Sequence, residues 1–304
     1  MGDWVLGIIG GSGLYEIDGL TDQQWVKVAT PFGEPSDELL TGVLDGVKLV
    51  FLPRHGRGHR LPPSDLNARA NIDALKRAGC TDVLSISAVG SLREDLPPGA
   101  FVIVDQFVDR TVARANSFFG PGLTAHVSMA EPVCPRLSSL AAEAGRAVGA
   151  RVVKGGVYLV MEGPQFSTKA ESRLYRSWGC DVIGMTNMPE AKLAREAELP
   201  YATIAMVTDY DCWREEVRHV EVTDILACLS ANAVTAKALV RSLVTRLGGA
   251  RPPSPIDTCL DNAIITAPYA RDPGMLAKLD AVAGRILKRV DASAAIARTT
   301  DGFG

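Results

Sequence analysis

The sequence predicts one α/β domain, a mixed, mainly parallel central sheet flanked by helices, on three observations. Short, mostly apolar runs, such as residues 83–87 and 201–207, have the length and make-up of buried strands. Segments with apolar residues three and four apart alternate with those runs from one end of the chain to the other. No internal repeat or long low-complexity break interrupts the alternation. The expected division is a domain over 1–290 and a flexible tail over 291–304.

Composition narrows the function classes. With 304 residues and 47% hydrophobic content the chain can bury a full core. A net charge of −3, no basic run and 6% aromatic residues give neither the electrostatic footprint nor the stacking platforms of a nucleic-acid binder. A small anion remains compatible, because it needs only a local positive pocket. Six cysteines without a C-x-x-C pair and four histidines make no zinc framework, so reduced thiols and no metal are expected. No charged-then-apolar leader and no run of eighteen apolar residues is present, which predicts a cytoplasmic protein without membrane contact.

Residues 4–9 form an apolar strand entering Gly10-Gly-Ser-Gly13, a turn whose glycines let backbone N–H groups approach an anion, with the Ser12 hydroxyl beside them. Glu16 stands where a dinucleotide fingerprint needs its third glycine, and Leu14 breaks the nucleophile-elbow pattern. Residues 43–52 read as a strand pair broken at Asp45-Gly46, delivering Pro53-Arg-His-Gly-Arg-Gly-His59 into a loop. Arg54 and His55 are adjacent donors suited to phosphate. His55 and His59 lie among glycines rather than on a helix, which disfavours a metal site.

Ser64 or Asp65 caps a helix ending at Gly79, and residues 83–87 lead into Ser87-Ala-Val-Gly-Ser-Leu92, read as a second strand-to-glycine turn carrying a hydroxyl. After a strand at 101–105, an irregular stretch holds Ser117-Phe-Phe-Gly-Pro-Gly122 and His126, and such long loops tend to be functional. A helix follows at 135–150. Residues 157–161 form a strand into Glu162-Gly-Pro-Gln-Phe-Ser167, where Phe166 and Ser167 precede a helix opened by the Thr168-x-x-Glu171 capping box. A strand at 181–185 meets the helix start Thr186-Asn-Met-Pro189, a further anion site.

The longest buried run, residues 201–207, ends at Asp209 and Asp211. If the chain is still extended there, the two carboxyls share a face. In a dry site they cannot both ionise cheaply, so one keeps a proton and can act as a general acid; the alternative is that they cap the turn. Trp213 and Arg214 exclude a calcium loop. Thr223 or Asp224 then caps a long amphipathic helix ending at Gly248-Gly249, and a last helix spans 275–290. Because every ligand-like motif follows an apolar strand, the loops should gather at the C-terminal edge of the sheet.

These motifs, in this order, resemble the 5′-methylthioadenosine phosphorylase branch of the purine nucleoside phosphorylase family. The matching segments are Gly7-Ile-Ile-Gly-Gly-Ser-Gly-Leu14, Pro53-Arg-His-Gly-Arg57, Ala88-Val-Gly-Ser-Leu-Arg-Glu94, Asp105-Gln-Phe-Val-Asp-Arg-Thr111, Met129-Ala-Glu-Pro-Val-Cys-Pro135, Glu162-Gly-Pro-Gln-Phe-Ser167 and Ala205-Met-Val-Thr-Asp-Tyr-Asp-Cys-Trp213. The resemblance implies a phosphorylase-type fold, a homotrimer and phosphorolysis of a purine nucleoside. It implies phosphate held by Ser12, Arg54, His55, Ser87, the Ala88 backbone and Thr186. Met185 would face the ribose, and Phe166, Ser167, Asp209 and Asp211 the base. Val222, Ile225 and Leu226 would line a 5′-methylthio pocket, with His126 arriving from a neighbouring subunit. Ser12 and Ser87 stand where the family often has Thr, Val89 where it has Cys and Gln165 where it has Arg. Residues 250–304 match poorly. No cofactor is expected, since inorganic phosphate is itself the co-substrate. Asp209 favours 6-aminopurines; the alternative is a phosphorylase for 6-oxopurine nucleosides.

Overall fold

The computed structural model describes residues 3–11, 13–214 and 222–287, with side chains from 227 onward in the last span. Its elements in chain order are β1 (Val5–Gly10), β2 (Thr21–Val26), β3 (Leu39–Leu44), β4 (Val47–Pro53), α1 (Ala68–Arg77), β5 (Asp82–Ser91), β6 (Ala100–Val104) and β7 (Gln106–Arg110). There follow α2 (Pro135–Ala147), β8 (Arg151–Lys154), β9 (Val157–Met161), α3 (Lys169–Ser177), β10 (Val182–Gly184), α4 (Asn187–Glu196), β11 (Tyr201–Asp209), α5 (Val222–Val244) and α6 (Pro273–Lys278).

The eleven strands form one sheet that branches at β5. One arm runs β2-β3-β4-β1-β5, another continues through β10, β9 and β7, and a third leaves β5 through β11, β6 and β8. The inner pairs β1·β4, β1·β5 and β5·β11 are parallel, and β5·β10 and β6·β11 are antiparallel, so the sheet is mixed as expected. Successive residues of the central strands serve opposite faces. Leu6 and Ile8, Leu84 and Ile86, and Ala202 and Ile204 pack with Leu137 of α2 and Leu239 and Leu243 of α5. Ile9, Val83, Tyr201 and Ala205 pack instead with Ile72 and Leu75 of α1 and Leu193 of α4. Both faces are covered, which is why these strands read as mostly apolar runs, interrupted by hydroxyls such as Ser85 and Thr203.

Three local expectations are corrected. Residues 87–91 are strand rather than turn, because β5 continues to pair with β11 up to Gly90 and turns to β10 at Gly90 and Ser91. Gly90 punctuates nothing; a Cβ there would stand 3.0 Å from Asp209 Oδ1, 3.2 Å from Ile183 and 3.3 Å from Asp211, so three segments meet only over a bare backbone. Helix α1 is capped by Asn67, whose side chain accepts from Ala70 N at 3.2 Å, while Ser64 and Asp65 lie in a separate 3-10 turn. The helix expected over 275–290 is interrupted: α6 ends at Lys278 with Leu279 as its C-cap, a turn follows over 279–283, and helix resumes at 284–287, beyond which the residues are not described. The tail 291–304 lies outside the described residues.

Candidate active site

The loops leaving β1, β4, β9, β10 and β11 converge beside the middle of β5. On the β1 and β4 side, the Arg54 amide donates to the Gly10 carbonyl at 2.9 Å, tying the two motif loops together. Ser12 lies outside the described residues; Gly13 next to it has φ +91°, a backbone that requires glycine.

Arg54 is only 2% exposed. Its guanidinium donates through Nε to Glu190 Oε1 at 2.6 Å, through Nη2 to Glu190 Oε2 at 3.1 Å and Ser85 Oγ at 2.6 Å, and through Nη1 to the Ile86 carbonyl at 2.9 Å. Four of the five N–H groups of an arginine are thus spent inside the fold. The residue read from sequence as a direct phosphate clamp is, in the folded chain, a buried cation under the site with at most one donor to offer. Its partner Glu190 gave no signal in the sequence.

His55 is half-buried, and its Nδ1 lies 2.9 Å from the Leu61 carbonyl. A carbonyl only accepts, so Nδ1 carries the proton and Nε2 is the free lone pair of the neutral ring. Burial, reinforced by the Arg54 cation, lowers the His55 pKa to about 4 against the pull of that carbonyl. Ser87 is buried on β5 and Ala88 beside it is exposed, although β5 is paired there with β11. Thr186 stands at the N-cap of α4 and makes no capping bond, so its hydroxyl is not needed by the helix.

On the opposite side stand the two acids. Strand β11 ends at Asp209 with an irregularity between Val207 and Asp209, and Asp211 has φ +52° and opens a 3-10 turn. The carboxyls therefore do not share the face of an extended strand. The chain folds back, and the Asp211 amide donates to Asp209 Oδ1 at 2.7 Å, so the turn-capping alternative also holds. Asp209 Oδ2 lies 2.7 Å from Thr208 Oγ1, which is also 3.1 Å from the Val89 carbonyl. The Ser172 hydroxyl on α3 donates to Asp211 Oδ2. Burial raises the pKa of both carboxyls, opposed at Asp209 by Thr208 and at Asp211 by Ser172; the neighbouring Asp209 charge raises that of Asp211 further.

Ser167 and Met185 are half-buried, the Ser167 carbonyl accepting from the Cys212 thiol, and Phe166 is 67% exposed. Met185 is held by Arg114, which donates to the Met185 carbonyl at 2.6 Å, to Met188 O at 2.8 Å and to Glu162 O at 2.6 Å. Neither Arg114 nor Glu162 stood out as a site residue from sequence. His126 is exposed, with its amide tied to Ala263 O at 2.9 Å. Val222, Ile225 and Leu226 open α5, and their side chains lie outside the described residues. No cluster of metal-ligating side chains occurs among the described residues.

A family model described as the phosphorylase superfamily matches residues 5–245. The chain belongs to this superfamily. Among its relatives, the S-methyl-5′-thioadenosine phosphorylase of Cereibacter sphaeroides is 64% identical over 286 residues, covering 93% of this chain and 99% of that protein. The enzyme of that name from Rhodospirillum rubrum is 60% identical over 285 residues, covering 93% and 97%. Among solved structures, a methylthioadenosine phosphorylase from an antarctic soil metagenomic library superposes with a TM-score of 0.87 at 45% identity, covering 93% and 99%. A methylthioadenosine phosphorylase from Schistosoma mansoni in complex with adenine gives 0.75 at 39% identity, covering 82% and 93%. The superfamily fold thus extends over all the motif-bearing loops.

Proposed function

We infer that this protein catalyses phosphorolysis of S-methyl-5′-thioadenosine, giving adenine and 5-methylthioribose 1-phosphate. The observation that carries this reading is an acid pair, half-buried Asp209 and Asp211 packed at Gly90 of the strand that also carries Ser87, in a chain 64% identical to an enzyme of that name.

A phosphate oxygen attacks C1′ of the ribose, the C1′–N9 bond breaks, and its electron pair leaves with the purine. Positive charge grows on the sugar and negative charge on the base, so the site needs an anion on one side and a proton donor on the other. The Ser87 and Thr186 hydroxyls, the Ala88 backbone and the Ser12 turn hold phosphate above the buried Arg54 cation, and neutral His55 accepts a phosphate O–H at Nε2. Asp209 delivers its proton to purine N7, so adenine departs neutral, and solvent restores the proton. Asp211 holds the exocyclic amine, Phe166 and Ser167 flank the base, and Met185 faces the ribose. Neither metal nor organic cofactor takes part. His126 of a neighbouring subunit closes the 5′ pocket of Val222, Ile225 and Leu226 in a homotrimer, and the enzyme works in the cytoplasm. Among the described residues no helix is long and apolar enough to cross a membrane.

Asp at position 209 supports the 6-amino substrate over the 6-oxo alternative, because the carboxyl oxygen that carries no proton can accept from an exocyclic amine while the other donates to N7. The test is to incubate the protein with methylthioadenosine, methylthioinosine, adenosine and inosine, with and without phosphate, and identify the released base. Adenine release that needs no phosphate would mean hydrolysis and overturn the reading.

A further inference from the structure

Beneath the phosphate-side hydroxyls lies a closed polar cluster in which each proton can be given a direction. Glu190 accepts from Arg54, from Ser85 Oγ at 3.1 Å and from Tyr201 Oη at 3.1 Å. A carboxylate paired with a guanidinium only accepts, so the Ser85 and Tyr201 protons point at it. Thr203 Oγ1 donates to the Ser85 carbonyl at 3.2 Å, which likewise only accepts. The hydroxyl oxygens of Ser85, Tyr201 and Thr203 have no proton left to give, and all three face one fully buried side chain, Asn187. Its amide nitrogen donates to Tyr201 Oη at 2.8 Å and to Thr203 Oγ1, and lies 3.4 Å from Ser85 Oγ. Turned over, the amide would set its oxygen against three acceptors. The network therefore dictates the orientation of Asn187.

That orientation decides what happens at the other end. Asn187 Oδ1 lies 3.1 Å from Ser87 Oγ and 3.3 Å from Thr186 Oγ1, and both hydroxyls donate to it. On its other side Ser87 is 3.5 Å from Tyr158 Oη, and a Cβ at Gly184 would fall 2.1 Å from that phenol oxygen, so the backbone at Gly184 closes the cluster.

We propose that Asn187 is a positioning residue for phosphate: its amide oxygen holds the Ser87 and Thr186 hydroxyls in place and keeps their protons until the anion, a stronger acceptor, takes them. This rests on the reading of Ser87 and Thr186 as phosphate ligands. A buried asparagine that served stability alone would, when removed, lower the melting temperature and the active fraction and leave the substrate KM values where they were.

The test is a steady-state comparison of wild type, Asn187→Ala, the double variant Ser87→Ala/Thr186→Val, and the triple variant, each normalised to folded protein. Asn187→Ala should raise the phosphate KM by about tenfold or more and leave the methylthioadenosine KM within about twofold, as expected for two weakened charge-assisted hydrogen bonds. In the double-variant background its removal should add less than about twofold, because the groups it acts through are gone. Should Asn187→Ala not fold, Asn187→Ser keeps an oxygen on that side and should give a phosphate KM above wild type with an unchanged nucleoside KM. A phosphate KM that stays at the wild-type value, a parallel rise in both KM values, or an undiminished effect in the double-variant background would overturn the proposal. If Ser87→Ala/Thr186→Val itself left the phosphate KM unchanged, the site reading beneath the proposal would fall with it.

Discussion

The backbone N–H of Asp211 donates to the side chain of Asp209 at 2.7 Å, which leaves Oδ1 of Asp209 an acceptor and turns Oδ2 into the place where a proton can sit. Thr208 stands beside that oxygen, with the Val89 carbonyl as the second acceptor for its single hydroxyl proton. When Thr208 donates to Val89, Asp209 must carry the proton between them. When Thr208 donates to Oδ2 instead, it favours the ionised carboxylate; burial, the larger influence, moves the Asp209 pKa up toward the neutral form.

Asp209→Asn removes the ionisable donor and leaves an amide that can face a 6-oxo group. Turnover of methylthioadenosine should fall by roughly 10²–10⁴-fold, the usual worth of a general acid, with methylthioinosine hurt less. In wild type the working form is the protonated one, so kcat should fall as pH rises through the raised pKa of Asp209. That limb should vanish in Asp209→Asn. Equal losses on both bases would show that Asp209 does not read the base.

His55 should stay neutral well below the ordinary imidazole range. The protein has four histidines, so ring-proton NMR can follow each. One should titrate near pH 4 in phosphate-free protein, be missing in His55→Gln and move upward when phosphate is added. Because the folded pKa lies below the unfolded value, the unfolded chain binds the extra proton first. Stability from this group is complete above about pH 6.5 and is lost as pH falls toward 4. A His55→Gln variant with the same acid-side slope in urea unfolding would contradict this.

Breaking the Arg54–Glu190 pair should be costly. Both side chains are 2–3% exposed, and removing one leaves the other charge buried without its partner. Glu190→Gln should lose about 3–5 kcal/mol in denaturant unfolding. Arg54→Lys should not restore wild-type stability, since one ammonium cannot serve Glu190, Ser85 and the Ile86 carbonyl with the fork geometry of a guanidinium. A loss below about 1 kcal/mol in Glu190→Gln would mean the pair is far better solvated than its burial indicates.

Gly90→Ala places a methyl 3.0 Å from Asp209 Oδ1 and 3.3 Å from the Asp211 Cβ. The acids must shift by a few tenths of an ångström, with an overpacking cost of about 1–3 kcal/mol. Catalysis should suffer more than folding, with kcat down by roughly tenfold or more because the donor is moved off N7. Unchanged kcat in a destabilised variant would uncouple Gly90 from the acids.

The 5′ end provides a test of the shared pocket. Apolar contacts discriminate by about 1–3 kcal/mol per methylene-sized difference, so adenosine should be a poorer substrate rather than an excluded one. Ile225→Asp should lower the kcat/KM ratio of methylthioadenosine over adenosine, and specific activity should fall on dilution as light scattering reports dissociation. A fully active monomer would defeat the role given to His126.

By itself the sequence determined whatever depends on neighbours along the chain. The inner strands were legible because a strand covered on both faces is mostly apolar, and the break at Asp45-Gly46 because the left-handed backbone found there favours those residues. The start of α3 was legible because Thr168 and Glu171 cap it within a single turn. The ligand-bearing loops could be picked out for the same reason, each being a short polar segment at the end of an apolar run. Strands β2, β7 and β8 escaped, since their half-exposed residues carry no apolar run to announce them. Only the tertiary structure decided which polar groups meet. Arg54 finds Glu190 across 136 positions, and Ser87 finds Asn187 across 100. The bend of Asp211 onto Asp209, and the passage of β5 through Gly90, likewise depend on segments distant in sequence packing over one another. A buried polar group takes its role from the partner that replaces water, and that partner is chosen by packing, which local sequence does not encode.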